Sequence, residues 1–137
     1  MSTKSFIGIE LPSGRVRAIY CHYDGYPEHH APILLNHYNT AKKVRELLKL
    51  GSLSSLGTEI GVKHDMGSVA PKHKTWCRAY HRDRLDAWDS THPTVFPSFK
   101  HLDLGAYNYL FKDHRWWLVE NGTLTDLRVV HITSELV

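Results

Sequence analysis

Arg17-Ala-Ile-Tyr-Cys-His-Tyr-Asp-Gly-Tyr-Pro27 is the stretch on which the fold turns. Its aromatic and β-branched residues through Tyr23 predict a strand, and Asp24-Gly25 ahead of Tyr26-Pro27 breaks it. Upstream, Leu11-Pro-Ser-Gly14 separates this run from the apolar residues 6–10. Proline presets the first central position of a turn and glycine accepts the conformation that closes it. Residues 6–10 and 15–23 therefore read as an antiparallel hairpin. Period-two alternation sets Ile19, Cys21 and Tyr23 on one face of the second strand and Ala18, Tyr20 and His22 on the other.

Working outward, Pro27 or Pro32 opens a short helix through Leu34, Leu35 and Tyr38. Asn39 or Thr40 caps a second, whose Val44, Leu47 and Leu48 fall at helical spacing, and Gly51 stops it. Residues 52–56 read as a further helical turn. Residues 57–75 form a long loop, and residues 76–82 return to a strand with Trp76, Arg78, Tyr80 and Arg82 on one side. After an irregular stretch, 83–105, three strands at 107–111, 116–120 and 124–130 make a meander through Asp113-His114 and Asn121-Gly122. Trp116 and Trp117 must face opposite ways in such a strand, so one is core and the other needs a cover, from the 83–105 stretch or from a second subunit. The expected fold class is α+β, one domain over residues 1–137, with an antiparallel sheet of five or six strands built from hairpins and the two early helices on one face.

Composition sets the setting. A length of 137 residues allows one core without disulfides or structural metal. Two cysteines, Cys21 and Cys77, are too few and too far apart for a secreted disulfide framework. The start, Met-Ser-Thr-Lys-Ser, has no signal-peptide pattern and no run approaches a membrane span, which predicts a reduced cytoplasmic protein. A net charge of +3 argues against an acidic nucleic-acid mimic and permits an anionic ligand.

Four pieces carry a family resemblance: Phe6-Ile-Gly-Ile, Ile19-Tyr-Cys-His-Tyr-Asp-Gly-Tyr-Pro27, Asn36-His-Tyr38, and residues 44–56 ending Leu-Gly-Ser-Leu-Ser-Ser-Leu. Together they resemble a group of small, uncharacterised accessory proteins of tailed bacteriophages, over about the first 56 residues, with Cys77-Arg-Ala-Tyr-His-Arg82 as a further fragment. The resemblance implies a counter-defence or host-takeover protein working in the cytoplasm of an infected bacterium. It implies no particular activity.

Eleven histidines invite a metal reading. Zinc sites show short paired spacings that converge tetrahedrally, whereas Cys77 and His81 on a strand lie about 13 Å apart and Glu28-His29-His30 are adjacent. Surface or hydrogen-bonded histidines are the simpler reading, with no metal and no cofactor. Neither cysteine sits in a recognised nucleophile turn, so both read as small buried hydrophobes, and a hydrolase or transferase using His22, Asp24 and His81 is the weaker alternative to a protein without turnover. Anion binding is better supported. Arg78 and Arg82 flank Tyr80, guanidinium groups bind phosphate in bidentate fashion, and aromatic rings stack on bases. Tyr20, His22, Tyr23, Asp24 and Tyr26 add stacking and hydrogen bonding nearby. The expected function is sequestration of an anionic, nucleotide-like small molecule without turnover, through these eight residues. The alternative is a protein-binding inhibitor of a host or immune protein, docking through the aromatic 83–105 stretch, and a homo-oligomer is compatible with either.

Overall fold

The opening hairpin forms where the turn signals place it. The Gly14 N–H donates to the Leu11 carbonyl at 2.9 Å and Gly14 takes φ +89°. A computed structural model describes residues 2–135. Its strands are β1 (Ser5–Glu10), β2 (Val16–Cys21), β3 (Leu53–Ser55), β4 (Arg78–Ala79), β5 (Thr94–Phe96), β6 (Tyr107–Lys112), β7 (Arg115–Glu120) and β8 (Thr123–Asp126). The helices are α1 (Pro27–His37), α2 (Ala41–Leu48), α3 (Tyr80–Arg84), α4 (Trp88–Thr91) and α5 (Leu127–Glu135). The class is α+β. Among the described residues no helix is long and apolar enough to cross a membrane.

The strands make one open sheet in the order β4-β3-β2-β1-β6-β7-β8, with β5 also pairing β2. Eight strands replace the expected five or six because the presumed helical turn at 52–56 supplies β3 and the 83–105 stretch supplies β5. Five pairings are antiparallel. Two are parallel, β1 with β6 from Ser5↔Tyr107 to Ile9↔Phe111 and β2 with β3 at Cys21↔Leu53, so the sheet is mixed rather than purely antiparallel. A parallel neighbour needs a long connection, which residues 22–52 supply between β2 and β3 and residues 11–106 between β1 and β6.

Three local expectations give way to tertiary context. Residues 52–56 become β3 because Gly51, at φ +72°, turns the chain back along β2, where the His22 and Tyr23 N–H groups donate to the Leu53 and Ser54 carbonyls at 2.9 and 3.0 Å. The 76–82 strand stops after two residues. The Asp83 carboxylate reaches back to the N–H of the N-cap residue Ala79 at 2.8 Å and so starts α3 at Tyr80. The 124–130 strand likewise ends at Asp126, whose carboxylate accepts from the Arg128 N–H at 2.9 Å and opens α5. The β-branched Val129, Val130 and Ile132 suggest strand, but packing of α5 on α1 decides. The expected caps hold elsewhere: Thr40 accepts from the Lys43 N–H, and Asn121-Gly122, at φ +51° and +74°, makes the β7–β8 turn.

Two cores result. In the larger one Ile7, Ile19, Cys21, Tyr109 and Trp116 of the sheet pack with Leu34 of α1, Leu47 of α2 and Leu127 of α5. In the smaller one Val16, Ala18, Leu110 and Val119 lie under Phe96 and Leu102, with Phe99 and Trp117 at its margin. The chain itself, through the 83–105 stretch, thus covers the tryptophan that Trp116 leaves on the other side.

Gly51 tests the fold most sharply. A Cβ there would lie 2.3 Å from the Thr91 carbonyl oxygen, the atom that receives the Ser52 N–H. Gly14 has a similar φ but open space around it. Gly51→Ala should therefore lower the urea midpoint by the equivalent of at least ~2 kcal/mol, and Gly14→Ala by about 1 kcal/mol from backbone strain alone. Equal losses would mean that contact with Thr91 contributes nothing.

Candidate functional site

The β2 end carries the residues that sequence reasoning singled out. Tyr20 and His22 leave the same side of the strand, with Tyr20 Oη and His22 Nδ1 hydrogen-bonded at 2.5 Å. Alternation ends at Cys21, and Tyr23 swings round to stack edge-on against His22, ring centroids 4.5 Å apart. Asp24, at φ +58°, then turns the chain into α1, and its carboxylate accepts from the Tyr26 hydroxyl at 3.4 Å. That carboxylate raises the Tyr26 hydroxyl above its ordinary value.

Tyr80, the first residue of α3, comes to this end of the sheet from nearly sixty residues away because Cys21 pairs with Leu53 and Leu53 with Ala79. Burial raises the hydroxyls of both Tyr20 and Tyr80; Tyr80 adds to the rise at Tyr20, and Tyr23 adds to the rise at Tyr80. The Arg84 guanidinium lies 4.6 Å above the Tyr80 ring and forms a two-bond pair with Asp86 at 2.8 and 2.9 Å. Tyr23 is 47% exposed, so the aromatic surface is open to a ligand.

The two arginines expected to flank Tyr80 point elsewhere, because the helical start of α3 abolishes the strand alternation that would have aligned them. The Arg78 guanidinium donates to the Met66 carbonyl and to the Ser68 carbonyl, the latter at 2.6 Å. Arg82 donates to the Ile60, Gly61 and Cys77 carbonyls and to both oxygens of Asp83. Both hold the 57–76 segment in place. Arg84, two residues on, is the guanidinium that reaches the aromatic group.

Asp83 reads in the sequence as a solvated ion-pair partner of the neighbouring arginines, and the structure buries that pairing. Its side chain is fully buried and accepts from the backbone N–H groups of His64 and Ala79 as well as from Arg82. Burial alone would raise its carboxyl, but the Arg82 hydrogen bonds and the two N–H donors outweigh that and hold it below its ordinary value of 3.8. An alanine N-cap with an acid four places on, rather than the Ser/Thr and acid three places on of a capping box, gave the sequence no standard signal for this contact.

The remaining reactive groups are structural. Burial pushes the Cys21 thiol up to about 12 and raises the Cys77 thiol. Cys77 Sγ accepts from the Gly57 N–H at 3.3 Å and lies 3.4 Å from the Tyr38 hydroxyl. Neither supplies a thiolate at neutral pH. His30 is fully buried between Ser5 Oγ and His29 Nδ1, and burial with the adjacent His29 lowers it to about 3. His81 stacks on Trp88 at the surface while Cys77 faces Tyr38, so the two do not converge. Among the described residues no three histidine, cysteine or acidic side chains gather as metal ligands would. Compared with known proteins, the chain matches no family model, no curated protein and no solved structure.

Asp83→Ala leaves a largely buried guanidinium and two N–H groups uncompensated, which should cost about 3–5 kcal/mol in urea unfolding. The folded carboxyl lies below its unfolded value, so its contribution is complete above about pH 4 and is lost as pH falls through the folded value. The wild-type protein should lose stability below pH 4 more steeply than Asp83→Asn. Parallel acid profiles would show that this carboxylate is not the anchor.

Proposed function

We propose that the chain is a phage accessory protein, acting in counter-defence or host takeover inside the infected bacterium, that binds an anionic nucleotide-like small molecule and withholds it without turnover. The observation that carries this is the convergence of Tyr20, His22, Tyr23 and Tyr80, from two distant segments, beside the Arg84 guanidinium. A base stacks on the exposed Tyr23 face, and stacking of this kind is worth about 1–3 kcal/mol per base. Arg84 exchanges its surface carboxylate for phosphate; an exposed pair such as Arg84–Asp86 is worth only ~0–1 kcal/mol. Asp24 and Tyr26 border the sugar. Arg78 and Arg82, on either side of Tyr80 in the chain, support this reading only indirectly, by bracing β4 and α3 against the 57–76 segment. The phage setting rests on the resemblance carried by residues 19–27.

A second reading, a protein-binding inhibitor, is favoured by one feature. Leu85, at φ +64° and 72% exposed, and Trp88, 39% exposed, are large apolar side chains left open to solvent from the end of α3 to the start of α4. Exposed tryptophan is a typical interface anchor.

Thermal denaturation with a panel of cyclic dinucleotides, cyclic trinucleotides and ADP-ribose derivatives separates the two. A ligand at a hundredfold excess over Kd adds about 2.7 kcal/mol and raises the melting temperature by several degrees. Tyr23→Ala and Arg84→Ala should each weaken binding about tenfold or more, with the melting temperature of the free protein unchanged. No shift with any member removes the nucleotide reading. Stoichiometric capture of one host protein, lost in Trp88→Ala, would establish the other.

A further inference from the structure

At the opposite end of β2 and on its other face lies a cleft that the aromatic site does not use. The register sets Ile9 beside both Arg17 and Phe111, so Arg17 emerges on the face that carries α2. Between that face, the β1–β2 turn and α2 is a cavity of about 180 Å³. Its walls are the apolar side chains of Ile9, Leu11, Pro12 and Leu48. Its rim is cationic, with Arg17 from β2 and Arg45 and Lys49 one helical turn apart along α2.

What marks the cleft is that three cations, none of them neutralised, share one apolar-walled hollow. Arg82 and Arg84 are ion-paired, as are Lys112, Arg115 and Arg128. Arg17, Arg45 and Lys49 make no ion pair or side-chain hydrogen bond among the described residues. The one acid on the rim, Glu10, is held by Lys112 at 2.9 Å. Three like charges around a hollow repel one another, and an anion in their midst relieves that repulsion. Two guanidinium groups and an ammonium match a dianion with tetrahedral oxygens better than a single carboxylate. The room corresponds to roughly six waters at ~30 Å³ each, which fits the body of a small organic molecule rather than a polymer strand.

We propose that this cleft binds a small organic phosphate monoester, its phosphate held by Arg17, Arg45 and Lys49 and its apolar body laid against Leu11 and Leu48. The site stands apart from the aromatic one: Arg17 is three residues from Tyr20, about 10 Å along the strand, and faces the other way. Neither reading depends on the other.

Phenyl phosphate, benzoate, inorganic phosphate and a short oligothymidylate, titrated separately into the full chain and followed by amide and arginine side-chain NMR, test this. Phenyl phosphate should shift the Arg17, Arg45 and Leu48 signals and bind at least tenfold more tightly than benzoate or inorganic phosphate. Arg17→Gln and Arg45→Gln should each weaken it about tenfold while the rest of the spectrum shows an unchanged fold. Lys42→Gln, on the same helix but outside the cavity, and Tyr23→Ala should leave it unaltered. The proposal is overturned if phenyl phosphate shifts none of these signals, if benzoate binds equally well, if Lys42→Gln weakens binding as much as Arg45→Gln, or if oligothymidylate binds the cleft more tightly than phenyl phosphate.

Discussion

One buried carboxylate ties the middle of the chain to the rest. Asp83 gathers the His64 N–H from the 57–76 segment, the Ala79 N–H at the end of β4 and the Arg82 guanidinium. Arg82 passes the connection to the Cys77 carbonyl, and the Cys77 thiol meets the Tyr38 hydroxyl just past α1. The Tyr38 carbonyl in turn receives the Trp116 indole N–H from β7 at 2.8 Å. This line of polar contacts runs across the larger core from the surface segment to the far strands. A half-satisfied network of this kind would be worse than an apolar core, so its members stand or fall together.

That dependence explains how far the sequence could be read. Local chemistry located the hairpin turn at residues 11–14, the Thr40 cap and the Asn121-Gly122 turn, because each is set by residues within one turn of one another. It failed where a distant partner decides. Residues 52–56 are strand only because β2 and β4 lie on either side of Leu53. Residues 80–84 are helix because a carboxylate reaches back, and that in turn rotates Arg78 and Arg82 away from the ligand face assigned to them. The tyrosines and His22 were legible as a group because they are neighbours in sequence. The sequence assigns Tyr80 to the group as well; that Arg84, rather than Arg78 or Arg82, is the cation over its ring required the fold.

The charges sort into two populations with different work. One set is internal bracing: Arg78 and Arg82 reach carbonyls of the 57–76 segment, and Lys112 ties the β6–β7 end to Glu10 of β1. The other set, with Arg17, Arg45 and Lys49 among it, makes no ion pair among the described residues. A modest net charge of +3 conceals this division. The cations that count for an anion are those the protein leaves uncompensated, whatever their density along the chain.

The parallel pairing of β1 with β6 has a consequence for how the protein is made. The Lys112–Glu10 contact spans 102 residues. At about 5–20 residues per second of synthesis, the opening hairpin leaves the ribosome roughly 5–20 s before its partner strand exists. For that interval one edge of β1 offers unpaired backbone groups to any other nascent chain. On crowded polysomes, the rate of translation and the reach of ribosome-bound chaperones therefore bear on yield as much as the stability of the finished sheet does.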